Sequence, residues 1–235
     1  MTMLPLQRHS ILLIGLACLT ALSTASPTSA ADGQWHLRAH AAWVSPELSW
    51  QMSPAPGDLV RVDADSAWGL GISGEYRASD LLGVELGILR SSPDVNIQVD
   101  DAVLDVTVRA SDGLTMTPVS LGLNFHLTPT RRFDLYLGPY LAYVLYGDLE
   151  WRVNETIVVG GVPVDFDQSL RMSIANDLAY GAVAGADIPL GPEGWYFSGT
   201  LKYLATELDS TDPEGDSETL SLDPFIVAVG FRYSF

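Results

Sequence analysis

From about residue 34 onward, apolar and polar positions alternate with a period of two. The last segment shows it best: Phe225, Val227, Val229, Phe231, Tyr233 and Phe235 share one face, while Ala228, Gly230, Arg232 and Ser234 share the other. Successive side chains of an extended chain point to opposite sides, so this pattern predicts strands with one apolar face. Trp68, Leu70, Ile72 and Tyr76 repeat it, as do Leu82, Val84, Leu86 and Ile88, and Val119, Leu121, Leu123, Phe125 and Leu127. Eight such runs are predicted, near residues 34–43, 67–77, 82–89, 118–127, 133–146, 178–188, 195–208 and 220–235. Nothing after the first thirty residues has a 3.6 period or eighteen apolar residues in a row, so spanning helices are excluded there.

Eight is the smallest even strand number of a membrane barrel. The connections alternate in length, being short at 78–81, 128–132 and 189–194 and long at 44–66, 90–117, 147–177 and 209–219. Short periplasmic turns and long extracellular loops have this rhythm. A soluble sandwich or a lipocalin-like barrel also alternates, and the chemistry of the second face separates the two. Between the apolar positions lie Gly and Ser with isolated charges, among them Glu75, Arg77, Glu85, Asp134, Asp187, Lys202 and Arg232. Such charges are costly in a dry core and fit a polar lumen as ion pairs. Trp35, Trp43, Trp68, Phe133, Trp195, Phe231, Tyr233 and Phe235 cluster near strand ends, as interfacial girdles require. The expectation is an all-β, eight-stranded antiparallel transmembrane β-barrel.

The N-terminus reads differently. Arg8 precedes an apolar run at 11–22, and small polar residues follow at 23–31, the order of a secretory signal peptide. Twelve residues fall short of the ~20 that a spanning helix needs. Cleavage after Ala31, or one residue earlier, leaves 32–235 as the barrel domain, exported to the outer membrane of a Gram-negative cell. Lipid attachment at Cys18 is disfavoured, because Gly15 stands where a branched apolar residue is wanted and the cysteine lies inside the apolar run.

Composition narrows the function classes. At 47% hydrophobic the chain can fold, and with 29 acidic against 12 basic residues its net charge of −17 argues against nucleic acid as a partner. The lone cysteine excludes internal disulfides and thiolate zinc clusters. His36 and His40 share a strand face ~13 Å apart, too far for one metal, and read as lumen or rim histidines along with His126. No nucleophile elbow or HExxH motif occurs, so no enzyme activity, catalytic residue, metal or cofactor is expected. Acidic residues crowd the second long loop (Asp94, Asp100, Asp101, Asp105, Asp112) and the fourth (Asp209, Asp212, Glu214, Asp216, Glu218). They read as solvated loops, with a Ca²⁺ or Mg²⁺ bridge to lipopolysaccharide phosphates as the alternative. Val95–Val99 with 103–108, and 156–159 with 162–166 about Gly160-Gly161, suggest hairpins above the membrane.

The final seven residues, with Phe231, Tyr233 and terminal Phe235, resemble the signal by which the outer-membrane assembly machinery recognises barrels. More narrowly, the chain resembles the OmpW family of eight-stranded barrels. The resemblance lies in Gly74-Glu75-Tyr76-Arg77, Leu82-Gly83-Val84-Glu85-Leu86, Pro118-Val119-Ser120-Leu121-Gly122-Leu123-Asn124-Phe125 and Tyr136-Leu137-Gly138-Pro139-Tyr140-Leu141-Ala142-Tyr143. It continues in Gly185-Ala186-Asp187, Lys202-Tyr203-Leu204-Ala205-Thr206-Glu207-Leu208-Asp209 and Asp223-Pro224-Phe225, while the first strand and the outer loops match poorly. The resemblance implies a narrow passive channel that takes small hydrophobic molecules from outside and releases them sideways into the membrane. Strand parity points Leu89, Tyr136, Tyr140, Val144, Leu204 and Ile226 inward as candidate lumen lining. They serve either a small hydrophobic ligand or barrel packing alone, because a barrel this narrow is nearly filled by side chains. Pro139 and Pro224 are candidate bulge positions, where parity would slip. The alternative function is a non-conducting surface protein for adhesion, envelope integrity or phage and bacteriocin attachment. Outer-membrane lipid and lipopolysaccharide are the surroundings in either case, and a monomer is the default.

Overall fold

The computed structural model describes residues 34–53, 57–101, 106–127, 133–159, 162–191, 194–211 and 217–235. The signal-peptide reading, the turn at 128–132 and the acidic residues Asp105, Asp212, Glu214 and Asp216 lie outside the described residues. Every described element is a strand. In chain order they are β1 (Gln34–Ser45), β2 (Ser49–Met52), β3 (Leu59–Ala64), β4 (Ala67–Arg77), β5 (Leu82–Ser91), β6 (Asp94–Asp101), β7 (Val106–Gly113) and β8 (Met116–His126). There follow β9 (Asp134–Tyr146), β10 (Leu149–Val159), β11 (Val162–Ile174), β12 (Asp177–Pro189), β13 (Trp195–Ala205), β14 (Glu207–Thr211), β15 (Ser217–Ser221) and β16 (Phe225–Ser234).

Eight of these close a barrel in the order β1-β16-β13-β12-β9-β8-β5-β4. Closure satisfies the backbone polar groups that a lipid environment cannot. All eight seams are antiparallel, and each keeps one register along its paired length. Parity therefore survives from rim to rim: on β13, Leu201 is 47% exposed while Leu204 is fully buried. The outward face carries Leu37, Leu70, Ile72, Leu86, Leu121, Leu141, Leu178 and Val229, all exposed. This apolar belt faces lipid. Aromatic rings bound it below, where Trp35 packs tilted against Tyr76 at 5.0 Å and Trp195 against Tyr233 at 4.9 Å. Above stand Trp43 and Trp68, paired across β1 and β4.

The expected bulges are absent. Pro139 leaves the β8–β9 and β9–β12 registers unshifted and only interrupts pairing on the β8 side, because proline has no N–H to donate. Pro224 lies in the link before β16.

All four long connections fold into hairpins, including the first and the fourth, for which the sequence pattern suggests none. Strands β2, β3, β6 and β7 form one four-stranded sheet, and β10, β11, β14 and β15 form another. Two runs expected to be single strands are broken here. The segment 195–208 divides at Thr206, and 220–235 divides at Leu222–Pro224. Thr206 N–H donates to the Asp223 carboxylate (3.0 Å) and Leu222 N–H to the Thr206 carbonyl (3.0 Å), so the chain leaves the barrel there. Asp223 takes φ +33° to make the turn. The second-loop hairpin pairs β6 with residues 106–113, placing Val99 opposite Val108.

The hairpins enclose a core of their own. Leu48, Val62, Val95, Leu114, Leu149, Trp151, Leu208 and Leu222 are buried, and they join the barrel's upper interior in one apolar cluster. Trp151 Nε1–H donates to the Val95 carbonyl (3.2 Å), and Glu150 N–H to the Asp112 carboxylate (2.6 Å), linking β10 to the β6–β7 hairpin.

Hydrogen bonds from Thr107 (2.7 Å) and Gln98 (3.0 Å) hold the Asp100 carboxyl below its ordinary pKa of 3.8. A depressed carboxylate stabilises the folded state above its unfolded pKa, and loses that contribution as pH falls through the folded value. Amide protection across β6–β7, corrected for intrinsic exchange, should therefore drop between pH 7 and pH 3. Asp100→Asn should lower it already at pH 7; unchanged protection in both tests would contradict the assignment.

Candidate functional site

The inward face of the strands is stratified. Rising from the periplasmic end, β1 presents His36 and Arg38, then Ala42 and Val44; β9 presents Asp134 and then Tyr136, Tyr140 and Val144; β13 presents Ser198 and Lys202, then Leu204. On β16 the order runs from Arg232 through Ala228 to Ile226. The lower half of the interior is thus charged and the upper half apolar.

All eight barrel strands contribute to the lower layer. Arg38 (β1) lies against Glu75 (β4) at 2.8 Å and Asp187 (β12) at 3.1 Å, and also pairs with Glu85 (β5). Arg232 (β16) binds Asp187 at 2.8 Å, Arg77 binds Asp134 (β9) at 2.5 Å, and Lys202 (β13) reaches Glu85 at 3.2 Å. On β8, Asn124 donates to Glu75 (3.1 Å), and the His126 ring sits between Glu75 Oε1 (2.8 Å) and Asp134 Oδ1 (3.0 Å). Four cations thus meet four carboxylates in a buried network. Each charge has a partner at contact distance, which is the condition for burying it. Tyr136 roofs the layer, with the Arg38 guanidinium 4.9 Å from its ring centre. The network fills the bore and closes it to an open column of water.

Above it the interior is apolar and nearly full. Small residues opposite large ones permit this: a Cβ on Gly185 would collide with the Tyr136 ring, and one on Gly181 with Tyr140. A cavity of about 20 Å³ lies at the level of His40, Tyr140 and Lys202, with Leu89, Leu204 and Ile226 above. It holds no more than a water molecule. Its wall includes Ile72, Gly87, Ile88 and Pro118, and two of these, Ile72 and Ile88, show their outer surface to lipid. The cavity therefore abuts the β4–β5–β8 wall where side chains are small, Ser73 facing Gly87 and Gly87 facing Ser120. At the same place the β5–β8 ladder is broken. Ile88–Val119 and Ser91–Met116 pair, whereas Leu89–Pro118 and Arg90–Thr117 do not. Pro118 has no N–H to give its neighbour.

The six sequence candidates are all buried inside the barrel. Leu89, Tyr140, Leu204 and Ile226 line the cavity; Tyr136 belongs to the ionic layer below, and Val144 to the apolar core above. Sequence reasoning missed Pro118, which it treated only as the start of a strand, and the apolar cap over the mouth. A proline inside an alternating run was the available signal. His36 hydrogen-bonds Ser234 Oγ (2.7 Å) at the lower rim, and His40 borders the cavity. Among the described residues no three His, Cys, Asp or Glu side chains converge on a metal position. Asp100, Asp112 and Asp209 accept hydrogen bonds within the hairpins. Of the terminal aromatic residues, Phe231 and Phe235 lie exposed on the lower belt, and Tyr233 packs edge-on to Phe235 at 5.0 Å.

With this geometry in place, the sequence matches the family described as outer membrane protein beta-barrel domain over residues 14–235. The chain belongs to that family. It is an outer-membrane β-barrel. The fold is similar to that of OprG from Pseudomonas aeruginosa (18% identity, TM-score 0.60, covering 86% of this chain and 96% of that one). It is also similar to AlkL, whose structure was determined in DMPC bilayers (18% identity, TM-score 0.50, covering 89% and 95%). Both are eight-stranded barrels of the OmpW-like group, which the sequence segments resemble. No curated protein matches the sequence.

Removing one partner from a buried ion network strands the rest. Arg38→Met leaves Glu75, Glu85 and Asp187 short of a cation and should destabilise the barrel by about 3–5 kcal/mol. Urea unfolding followed by the heat-modifiable gel shift measures this; a loss under about 1 kcal/mol would show the network to be dispensable.

Proposed function

We propose that this barrel is a passive route for small hydrophobic molecules, taken from outside and released sideways into the outer membrane through the β5–β8 seam. The observation that carries the reading is the coincidence of three features at one level: the top of the charged layer, the apolar cavity, and the unpaired stretch of wall at Pro118. A solute descending the apolar interior meets the buried ion network below and an unpaired stretch of seam beside it. Separating buried charges costs several kcal/mol, whereas parting side chains across a seam that lacks its hydrogen bonds costs much less. Sideways is therefore the cheaper exit. The cap supplies the upper end of the route, because its core and the barrel's upper interior are one continuous apolar cluster. At about 20 Å³ the cavity is the route at rest, and passage requires Leu204, Ile226 and their neighbours to move apart.

A second reading, surface attachment by the cap, is favoured by the two folded sheets above the membrane. Uptake into liposomes separates the two. An apolar tracer should enter faster through the wild-type barrel than a polar solute of similar mass. Leu204→Asp or Ile226→Asp, each placing a charge at the cavity, should slow the apolar tracer by about tenfold while the gel shift reports a folded barrel. Pro118→Val restores an N–H to the seam and should slow it too. Uptake equal to that of empty liposomes would leave the attachment reading in its place.

A further inference from the structure

The outward face of the eight barrel strands is mostly apolar and carries one charged side chain. Arg90, the penultimate residue of β5, points out of the barrel. It follows Leu86 and Ile88 on the exposed side of the strand, while Glu85, Gly87 and Leu89 point in. Every other charged side chain of the barrel strands, from Arg38 to Arg232, faces the interior. The Arg90 guanidinium makes no hydrogen bond or ion pair with any described residue.

Its height is fixed by the register. Arg90 stands opposite Leu70 of β4, two residues below the level of Trp68, which belongs to the upper aromatic girdle. The long connections lie above, so this is the outer leaflet. An arginine on the lipid face costs ~2–4 kcal/mol at the bilayer midplane and ~0–1 kcal/mol near the interface, where its long stem carries the charge up to the headgroups. The surroundings are polar on one side only. Thr117 faces Arg90 across the unpaired seam, and Ser92 and Thr115, whose hydroxyls lie 3.5 Å apart, stand just above. Leu70, Ile72 and Ile88 lie exposed beside and below. A cation with hydroxyls around it, over a strip of exposed aliphatic surface, matches an anionic headgroup carried on acyl chains.

We propose that Arg90, with Thr117, Ser92 and Thr115, is a binding site for a phosphate of lipid A in the outer leaflet. Guanidinium and phosphate oxygens match in a two-pronged, charge-assisted hydrogen bond, which a hydroxyl shell completes. The chain carries 29 acidic side chains, so an anionic lipid is repelled by most of the protein and drawn to this point. The site also places a bound lipid on the outer side of the β5–β8 seam. Its existence does not depend on transport.

Native mass spectrometry of the folded barrel in detergent, loaded with bisphosphorylated lipid A, tests the site. Lipid retained per barrel should fall by about tenfold or more in Arg90→Gln and stay close to wild type in Arg90→Lys. Wild type should retain dephosphorylated lipid A as poorly as Arg90→Gln retains the phosphorylated form, and inorganic phosphate in excess should not displace the lipid. Arg90 touches nothing in the interior, so the gel shift should report a normal fold. Equal retention of bisphosphorylated lipid A by wild type and Arg90→Gln overturns the site. Equal retention of the two lipids by wild type overturns it as well, and needs no variant. Displacement by inorganic phosphate would show an anion site with no preference for lipid.

Discussion

Everything in this protein follows from the rule that a backbone surrounded by hydrocarbon must satisfy its hydrogen bonds internally. Eight strands meet the rule by closing on themselves, β1 against β16, with the register unshifted on every seam. An unshifted register means that parity is never lost. Each residue from rim to rim is committed either to lipid or to the interior, and the interior becomes a stack of layers whose chemistry depends on height. Where the rule is relaxed at Pro118, between β5 and β8, an unpaired stretch of wall lies beside the cavity, and the proposed route takes advantage of it.

The two interior layers divide the work. The charged layer draws one or more side chains from every barrel strand, so it cross-links the cylinder through its axis as the ladders link it around its circumference. It also makes the lower half impassable to anything that cannot separate ion pairs. The upper layer is held by packing alone, Tyr140 filling the place that Gly181 leaves open, and its contacts can rearrange at modest cost. Above it the hairpins add a core around Trp151 that continues the apolar interior past the membrane surface. Polar floor, soft upper interior and relaxed seam together support the proposed sideways release.

Arg90 obeys the same geometry from the other side. Parity puts β5's even residues in contact with lipid, and a charge there is tolerable only near the interface. The register places it there.

Much of this was written in the sequence. Period two marked all eight barrel strands, the uneven loop lengths gave their orientation, and Gly, Ser and charged residues between apolar ones showed that the second face is no ordinary core. The same alternation placed Leu204 and Ile226 inside, because a strand without bulges keeps its parity. What one strand's sequence could not show is which residues of other strands stand at the same height. Glu75, Glu85, Asp187 and Arg38 are up to 149 residues apart in the chain, and only the shear of the closed barrel brings them to one level. For the same reason Pro118 looked like the start of a strand until its partners across β5 were known. Pro139 and Pro224 looked like bulges, although one lies within an unshifted register and the other in a link. The second and third connections read as hairpins and the fourth as an acidic loop, but none showed a core, since their apolar residues find one only when separate connections pack over the mouth. Local alternation decided what faces in and what faces out; the register between distant strands decided what meets what, because it is set by closure of the whole cylinder.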